Sequence, residues 1–220
     1  MNHNRNIAGA ATGFTLIELL TVILIISLLV GILVPTVRAV IQAASAANTN
    51  ATIQSLSGGI QQYYTENNNV YPGQNVPSTF VYGSHWLMRA MFTRKGATSV
   101  NYSAAPAADF PLDAYVPIKA GLIRDNTGTN YSSAFLGDGY PSPMAICYYP
   151  ARLGVSGLGQ FVEGDNSTHT TGNTGGTFSD FIKDTRLDTG GNTPYRSGQY
   201  LLIAPGSDRK YFTRDDVKNW

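Results

Sequence analysis

One cysteine serves the whole 220-residue chain, so no intrachain disulfide can close. Cys147 lies in the apolar, strand-like run Ala145-Ile146-Cys147-Tyr148-Tyr149, where a buried structural thiol is expected and not a nucleophile. Charge is equally scarce. Asp, Glu, Lys and Arg make up 13% of the residues and the net charge is +1, which leaves no basic footprint for nucleic acid. The three histidines, His3, His85 and His169, are far apart in sequence, and His85 is expected at the surface or in a cap, not on a metal. G-x-S-x-G, Walker A, C-x-x-C and H-E-x-x-H motifs are all missing, so no catalytic residue is assigned and the chain is read as a non-enzyme.

Against this sparse background one stretch is extreme. Phe14–Val34, FTLIELLTVILIISLLVGILV, is almost wholly apolar, with Glu18 its only charge. As a helix it spans roughly 31 Å at about 1.5 Å per residue, enough to cross a bilayer core. A carboxylate at the centre of such a helix costs about 2.5–3.5 kcal/mol on insertion scales, so Glu18 calls for a nearby positive charge or a place near the interface. Cleavage after Gly13 would create an amine on Phe14, four residues before Glu18 and on the same helix face. A secretory signal peptide cut near Ala43–Ala47 is the competing reading. The run exceeds the usual length of a signal-peptide core, and Glu18 interrupts it near its start.

Beyond Pro35 the helical pattern persists. Val37, Val40, Ile41, Ala44, Ala47, Ile53, Leu56, Ile60 and Tyr63 or Tyr64 recur at steps of three and four. No charge falls between Arg38 and Glu66, and small residues dominate, as close helix packing requires. Pro35 is expected to kink the helix without ending it, and Gly58-Gly59 is a second weak point. One helix of roughly 50 residues is predicted, stopped by Asn67-Asn68-Asn69 and Tyr71-Pro72-Gly73.

The remainder reads as a small β domain with loop-rich insertions. Residues 84–95 form a short amphipathic helix with Ser84 as N-cap and Trp86, Leu87, Ala90 and Met91 on its apolar face. Val116–Ile118 and Ala120–Arg124 are candidate short strands. Gly137–Pro141 is a turn, Met144–Tyr149 a strand, and Gln199–Ala204 a strand of the buried type. Residues 154–194, rich in Gly, Thr, Ser and Asn, are expected to be flexible around a docked piece carrying Phe178, Phe181, Ile182 and Leu187. Asn166-Ser167-Thr168 matches a glycosylation sequon.

Near the C-terminus, Asp208, Asp215 and Asp216 are the best candidate for a site. Calcium takes six to eight oxygen ligands, which such a turn can supply. The residues alone favour a plain surface turn whose carboxylates are balanced by Arg209, Lys210 and Arg214.

Gly13, then Phe14-Thr15-Leu16-Ile17-Glu18, then an apolar helix broken at Pro35, resembles the N-terminus of type IV pilins and type II secretion pseudopilins. That resemblance implies a leader (residues 1–13) removed by a prepilin peptidase after Gly13 and N-methylation of Phe14. It further implies pairing of Glu18 with a neighbouring subunit's amine during assembly. The Tyr-Pro helix exit, the short second helix, the Asp/Gly/Pro turn before a strand, and the C-terminal loop look like the major pseudopilin. In that family the loop holds Ca2+, which maps onto Asp208, Asp215, Asp216 and the carbonyl of Pro205. Glycines commonly stand there at the positions of Arg209 and Phe212.

The expectation is therefore an α+β fold: a long kinked N-terminal helix packed on a small antiparallel sheet domain. Its parts are the leader 1–13, a membrane or filament-core helix 14–34, the rear helix 35–68 and a periplasmic domain 69–220. The implied role is a homopolymer in the bacterial inner membrane and periplasm, working with minor pseudopilins and an inner-membrane assembly platform to drive protein export. A type IV pilus subunit for adhesion, motility or DNA uptake is the alternative, and a minor tip subunit a third. The single cysteine leans towards secretion, since many pilus-forming pilins carry a C-terminal disulfide.

Overall fold

The computed structural model describes residues 13–74, 83–92, 115–116, 123–125, 134–187 and 191–220. The expected leader residues 1–12, the end of the second helix at 93–95, and 117–118 and 120–122 of the candidate strands lie outside these. The architecture is α+β, with a long apolar N-terminal helix and a small antiparallel sheet domain. Two compact units divide at Ile41 and Gln42. The division falls inside the helix, after the expected membrane boundary at 34.

In the first unit, helix α1 (Leu16–Glu66) begins and runs unbroken through Pro35. Among the described residues, one helix is long and apolar enough to cross a membrane, and this is it. Its hydroxyls are turned back onto the helix: Thr21 donates to the Ile17 and Glu18 carbonyls, Ser27 to Ile23, and Thr36 to Leu33 and Ile32. Each is thereby satisfied without water, which an apolar surround demands.

In the second unit the rear of α1 buries Ser45, Thr49, Thr52, Ile53, Leu56, Gly59 and Ile60, one stripe at steps of three and four. The apolar pattern holds from Ile53 onward, but Ala44 and Ala47 are exposed, and Ser45 and Thr49 are buried in their place. The reason is a close polar approach. Thr49 Oγ1 donates to the Ser45 carbonyl and accepts from the Gly139 amide at 2.9 Å, so the turn at 137–141 docks on this hydroxyl. Gly58-Gly59 is no break either. A Cβ at Gly59 would collide with Val116 Cγ2 and stand 3.1 Å from Met91 Sδ, so this glycine admits a neighbour. The helix ends as expected, with Asn68 and Asn69 in the left-handed region at φ 53° and 59°.

Helix α2 (Gly83–Phe92) buries Leu87, Met88, Ala90 and Met91, while Trp86 is half-buried. Its cap is not Ser84. The Ser84 amide is instead satisfied by Asn166 Oδ1 at 2.9 Å, a partner 82 positions away. His85 is buried, contrary to the surface role expected of it, and meets His169.

Strands β1 (Ile123–Asp125) and β2 (Ala134–Leu136) pair antiparallel, Ile123 opposite Leu136. The main sheet orders β3 (Cys147–Pro150), β4 (Tyr200–Ala204) and β5 (Val217–Lys218), all antiparallel. Cys147 lies opposite Ile203, Pro150 opposite Tyr200, and Ala204 opposite Val217. Alternation along β3 and β4 builds two cores. Tyr148, Tyr200, Leu202 and Ala204 face α1 and α2, while Cys147, Tyr149, Leu201 and Ile203 face Phe161, Phe178, Ile182, Tyr211 and Phe212. Each large side chain so buried contributes about 1.5–3 kcal/mol of transfer free energy.

The second core corrects the expected flexibility of 154–194. Its described residues fold into 3-10 turns at Gly157–Gln160 and Glu163–Asn166 and the short helices α3 (Ser167–Thr170) and α4 (Phe178–Ile182). Phe161, Asn166, Phe178 and Ile182 are buried, and only Leu187 of the expected apolar anchors is exposed, at 74%. Cys147 is the structural thiol expected, its pKa pushed up to about 12 by burial.

Candidate functional site

The helix start and the β4–β5 loop hold the residues singled out by sequence. Gly13 and Phe14 precede α1 and are exposed. Thr15 Oγ1 donates to Glu18 Oε2 at 2.7 Å, and the Thr15 amide donates to the same oxygen at 2.9 Å. The Glu18 amide donates back to Thr15 Oγ1 at 3.3 Å. This reciprocal arrangement is a capping box, which satisfies two amides that the first turn leaves without helical partners. Its T-x-x-E spacing is plain in the sequence, whereas the sequence expectation gives Glu18 an amine as partner. Glu18 thus has a local structural role in addition to any intermolecular one.

The loop between β4 and β5 brings Asp208, Asp215 and Asp216 together, with one carboxylate oxygen from each within 4.8 Å of the others. Oxygens bound to one calcium at about 2.3–2.6 Å lie at most about 5 Å apart, so the three fit a common ion. Pro205, whose carbonyl the resemblance adds, is buried at the loop's start. Asp215 Oδ2 accepts from Ser207 Oγ at 3.0 Å and the Asp208 amide at 3.1 Å. The Phe212 amide donates to Asp216 Oδ2 at 2.8 Å, and the Lys210 amide to Asp208 Oδ1 at 2.9 Å. Thr213 Oγ1 lies 2.7 Å from Asp215 Oδ1 and 2.9 Å from Asp216 Oδ1. A hydroxyl has one proton and serves one of these oxygens at a time, so the loop is richer in acceptors than in donors.

The two neighbouring carboxylates differ in acidity. Burial pushes Asp216 up to about 6. Burial also acts to raise Asp215, but donors from Thr213, the Asp208 amide and Ser207 outweigh it and lower its pKa. Gly206 is required beneath them, because a Cβ there would collide with the Asp215 carbonyl and carboxylate.

Arg209 and Phe212 occupy left-handed backbone, at φ 60° and 65°. These are the positions where the resembled family commonly has glycine, so the loop keeps the conformation at a cost of about 1–2 kcal/mol per residue. Their side chains offset it. Phe212 is buried against Phe178 and Phe181. Arg209 does not balance the aspartate trio as the plain-turn reading supposes. It binds Asp138 and the Ser142 carbonyl and lies over the Tyr140 ring, 4.8 Å from its centroid. Asp138 accepts further from the Tyr140 and Met144 amides. Burial raises the pKa of Asp138, and Arg209 opposes the rise.

Comparison with protein-family models, curated proteins and solved structures finds no match to this chain. The functional reading rests on the residues themselves.

One sequence motif is excluded by its surroundings. Asn166 is fully buried, its Oδ1 accepting from the Ser84 amide and its Nδ2 donating to the Tyr148 carbonyl at 2.8 Å. Both ends of the amide are committed, so Asn166 cannot take a glycan in the folded chain.

Proposed function

We propose that the chain is a structural subunit of a type II secretion pseudopilus, not a catalyst. A prepilin peptidase removes the leader after Gly13 and N-methylates Phe14. The helix then passes from the inner membrane into a periplasmic homopolymer, helped by minor pseudopilins and an assembly platform. One observation carries the reading. Every large apolar side chain from Phe14 to Ile41 is at least 45% exposed, over a helix interrupted by charge only at Glu18 and Arg38. In this reading the surface is covered first by lipid and then by neighbouring copies of itself. In this reading a neighbour's new amine offsets the charge of Glu18 at the first turn.

The aspartate loop takes calcium in this reading, held by Asp208, Asp215, Asp216 and the Pro205 carbonyl. The ion supplies positive charge to a loop with more acceptors than donors, pinning it to the end of β4. Co-expression with a prepilin peptidase, followed by mass spectrometry of the membrane fraction, tests the proposal. The expected species begins at N-methylated Phe14, and an intact leader overturns it.

A further inference from the structure

His85 on α2 and His169 on α3 are 84 positions apart in sequence, yet their Nε2 atoms stand 3.2 Å apart. His85 is 3% exposed and His169 8%. The contact is a hydrogen bond between imidazoles, one ring donating its N–H and the other accepting through a bare nitrogen. It needs that nitrogen unprotonated. One residue before His85, the Ser84 amide donates to Asn166 Oδ1, and Asn166 Nδ2 donates to the Tyr148 carbonyl. The first turn of α2 is therefore fastened to the segment 166–169 through Asn166 and His169.

Among the described residues, no carboxylate offsets a positive charge on His169. α2 packs against β2, β3 and the 3-10 turn Glu163–Asn166, and α3 follows directly on that turn. β2 carries no ionisable residue, and in β3 burial holds Cys147, Tyr148 and Tyr149 neutral. Of the turn's two carboxylates, Glu163 is exposed and Asp165 is committed to Arg152 at 2.5 Å. The Phe135 ring packs on His169 at 4.7 Å between centroids, an apolar wall. A proton on His169 either removes the lone pair that accepts from His85 or buries an uncompensated charge. We propose that the His85–His169 bond is an acid-labile clasp, which keeps α2 docked while His169 is neutral and releases it when His169 is protonated.

The sign follows from linkage. Burial holds His169 down at about 4, against about 6.5 for a histidine in an opened, solvated segment. The opened form therefore takes up the proton first, and acid draws the equilibrium towards it between about pH 6.5 and 4. Asp165 acts in the opposite sense. Burial raises its pKa, with Arg152 opposing, so its proton favours the docked form and cannot cause the opening. Release frees a face of α2 that carries Leu87, Met88 and Met91, all buried when the clasp is closed.

Hydrogen exchange of the full chain in detergent, read by mass spectrometry and corrected for the intrinsic effect of pH on exchange, tests the clasp. From about pH 6 to 4.5, the opening ratio of residues 83–92 is expected to rise by up to about tenfold per pH unit, as uptake of one proton requires. Above about pH 7 it should be level. His169→Gln, whose amide can still bond His85 but takes no proton, should remove the slope. A level profile in the parent chain, or the same slope in His169→Gln, overturns the proposal. If the glutamine variant does not fold, ring resonances of the parent decide: His169 must stay neutral down to about pH 5 in the docked form, and a His169 ring titrating near 6.5 overturns the clasp.

Discussion

Arg209, in the loop after β4, donates a 2.6 Å hydrogen bond to the fully buried carboxylate of Asp138, 71 positions earlier. The pair fastens the aspartate loop to the turn that docks on α1, and it does so from a residue in left-handed backbone. Arg209→Ala leaves a buried carboxylate without its cation and is expected to cost about 2–4 kcal/mol. Arg209→Gly loses the same partner but relieves the backbone, so it should be about 1 kcal/mol more stable than the alanine variant. Urea unfolding of the full chain, followed by the fluorescence of Trp86 and Trp220, checks both, and equal stability would show that φ at 209 carries no strain.

Adjacent glycines in α1 should respond in opposite directions. A Cβ at Gly58 meets nothing within 4 Å, so Gly58→Ala should stabilise by about 0.5–1 kcal/mol through helix propensity. Gly59→Ala drives a methyl into Val116 and should destabilise by about 1–3 kcal/mol. The two melting curves, measured side by side, decide it.

The capping box offers a way to separate charge from local structure at Glu18. Glutamine serves equally in that position of the box, so Glu18→Gln keeps the helix start while removing the charge. Glu18→Ala loses both. In the proposed filament both variants should insert and be processed, and both should fail to assemble. Normal filament yield from the glutamine variant would move the role of Glu18 from the charge to the cap.

Calcium, if it occupies the aspartate loop, stabilises by mass action, about 2.7 kcal/mol at a hundredfold excess over its Kd. Chelation should therefore lower the melting temperature, and Asp215→Ala should lower it further while abolishing the response to chelator. An unchanged melt on chelation would remove calcium from the reading.

How much of this was legible in the sequence depends on range. The helix through Glu66 and its asparagine stop follow from local pattern, and strands form at Cys147–Pro150 and Tyr200–Ala204 where the pattern puts them at 144–149 and 199–204. The gathering of Asp208, Asp215 and Asp216 was legible through a resemblance and a short loop. The buried stripe shifted from Ala44 and Ala47 to Ser45 and Thr49, where the Thr49 hydroxyl, satisfied by the Ser45 carbonyl and the Gly139 amide, can be buried, which an apolar count does not register. β5 is two residues long and shows no alternation. The Asn166 cap, the Arg209–Asp138 pair and the meeting of His85 with His169 all join residues more than 70 positions apart. No window along the chain contains them.

The amide of Ser84 waits for Asn166. In a chain delivered N-terminus first, α2 emerges with its first turn unfinished and completes it only when the segment after β3 arrives. Closing so long a loop is slow, so the second helix should be among the last parts to gain protection from hydrogen exchange during refolding, despite lying early in the sequence.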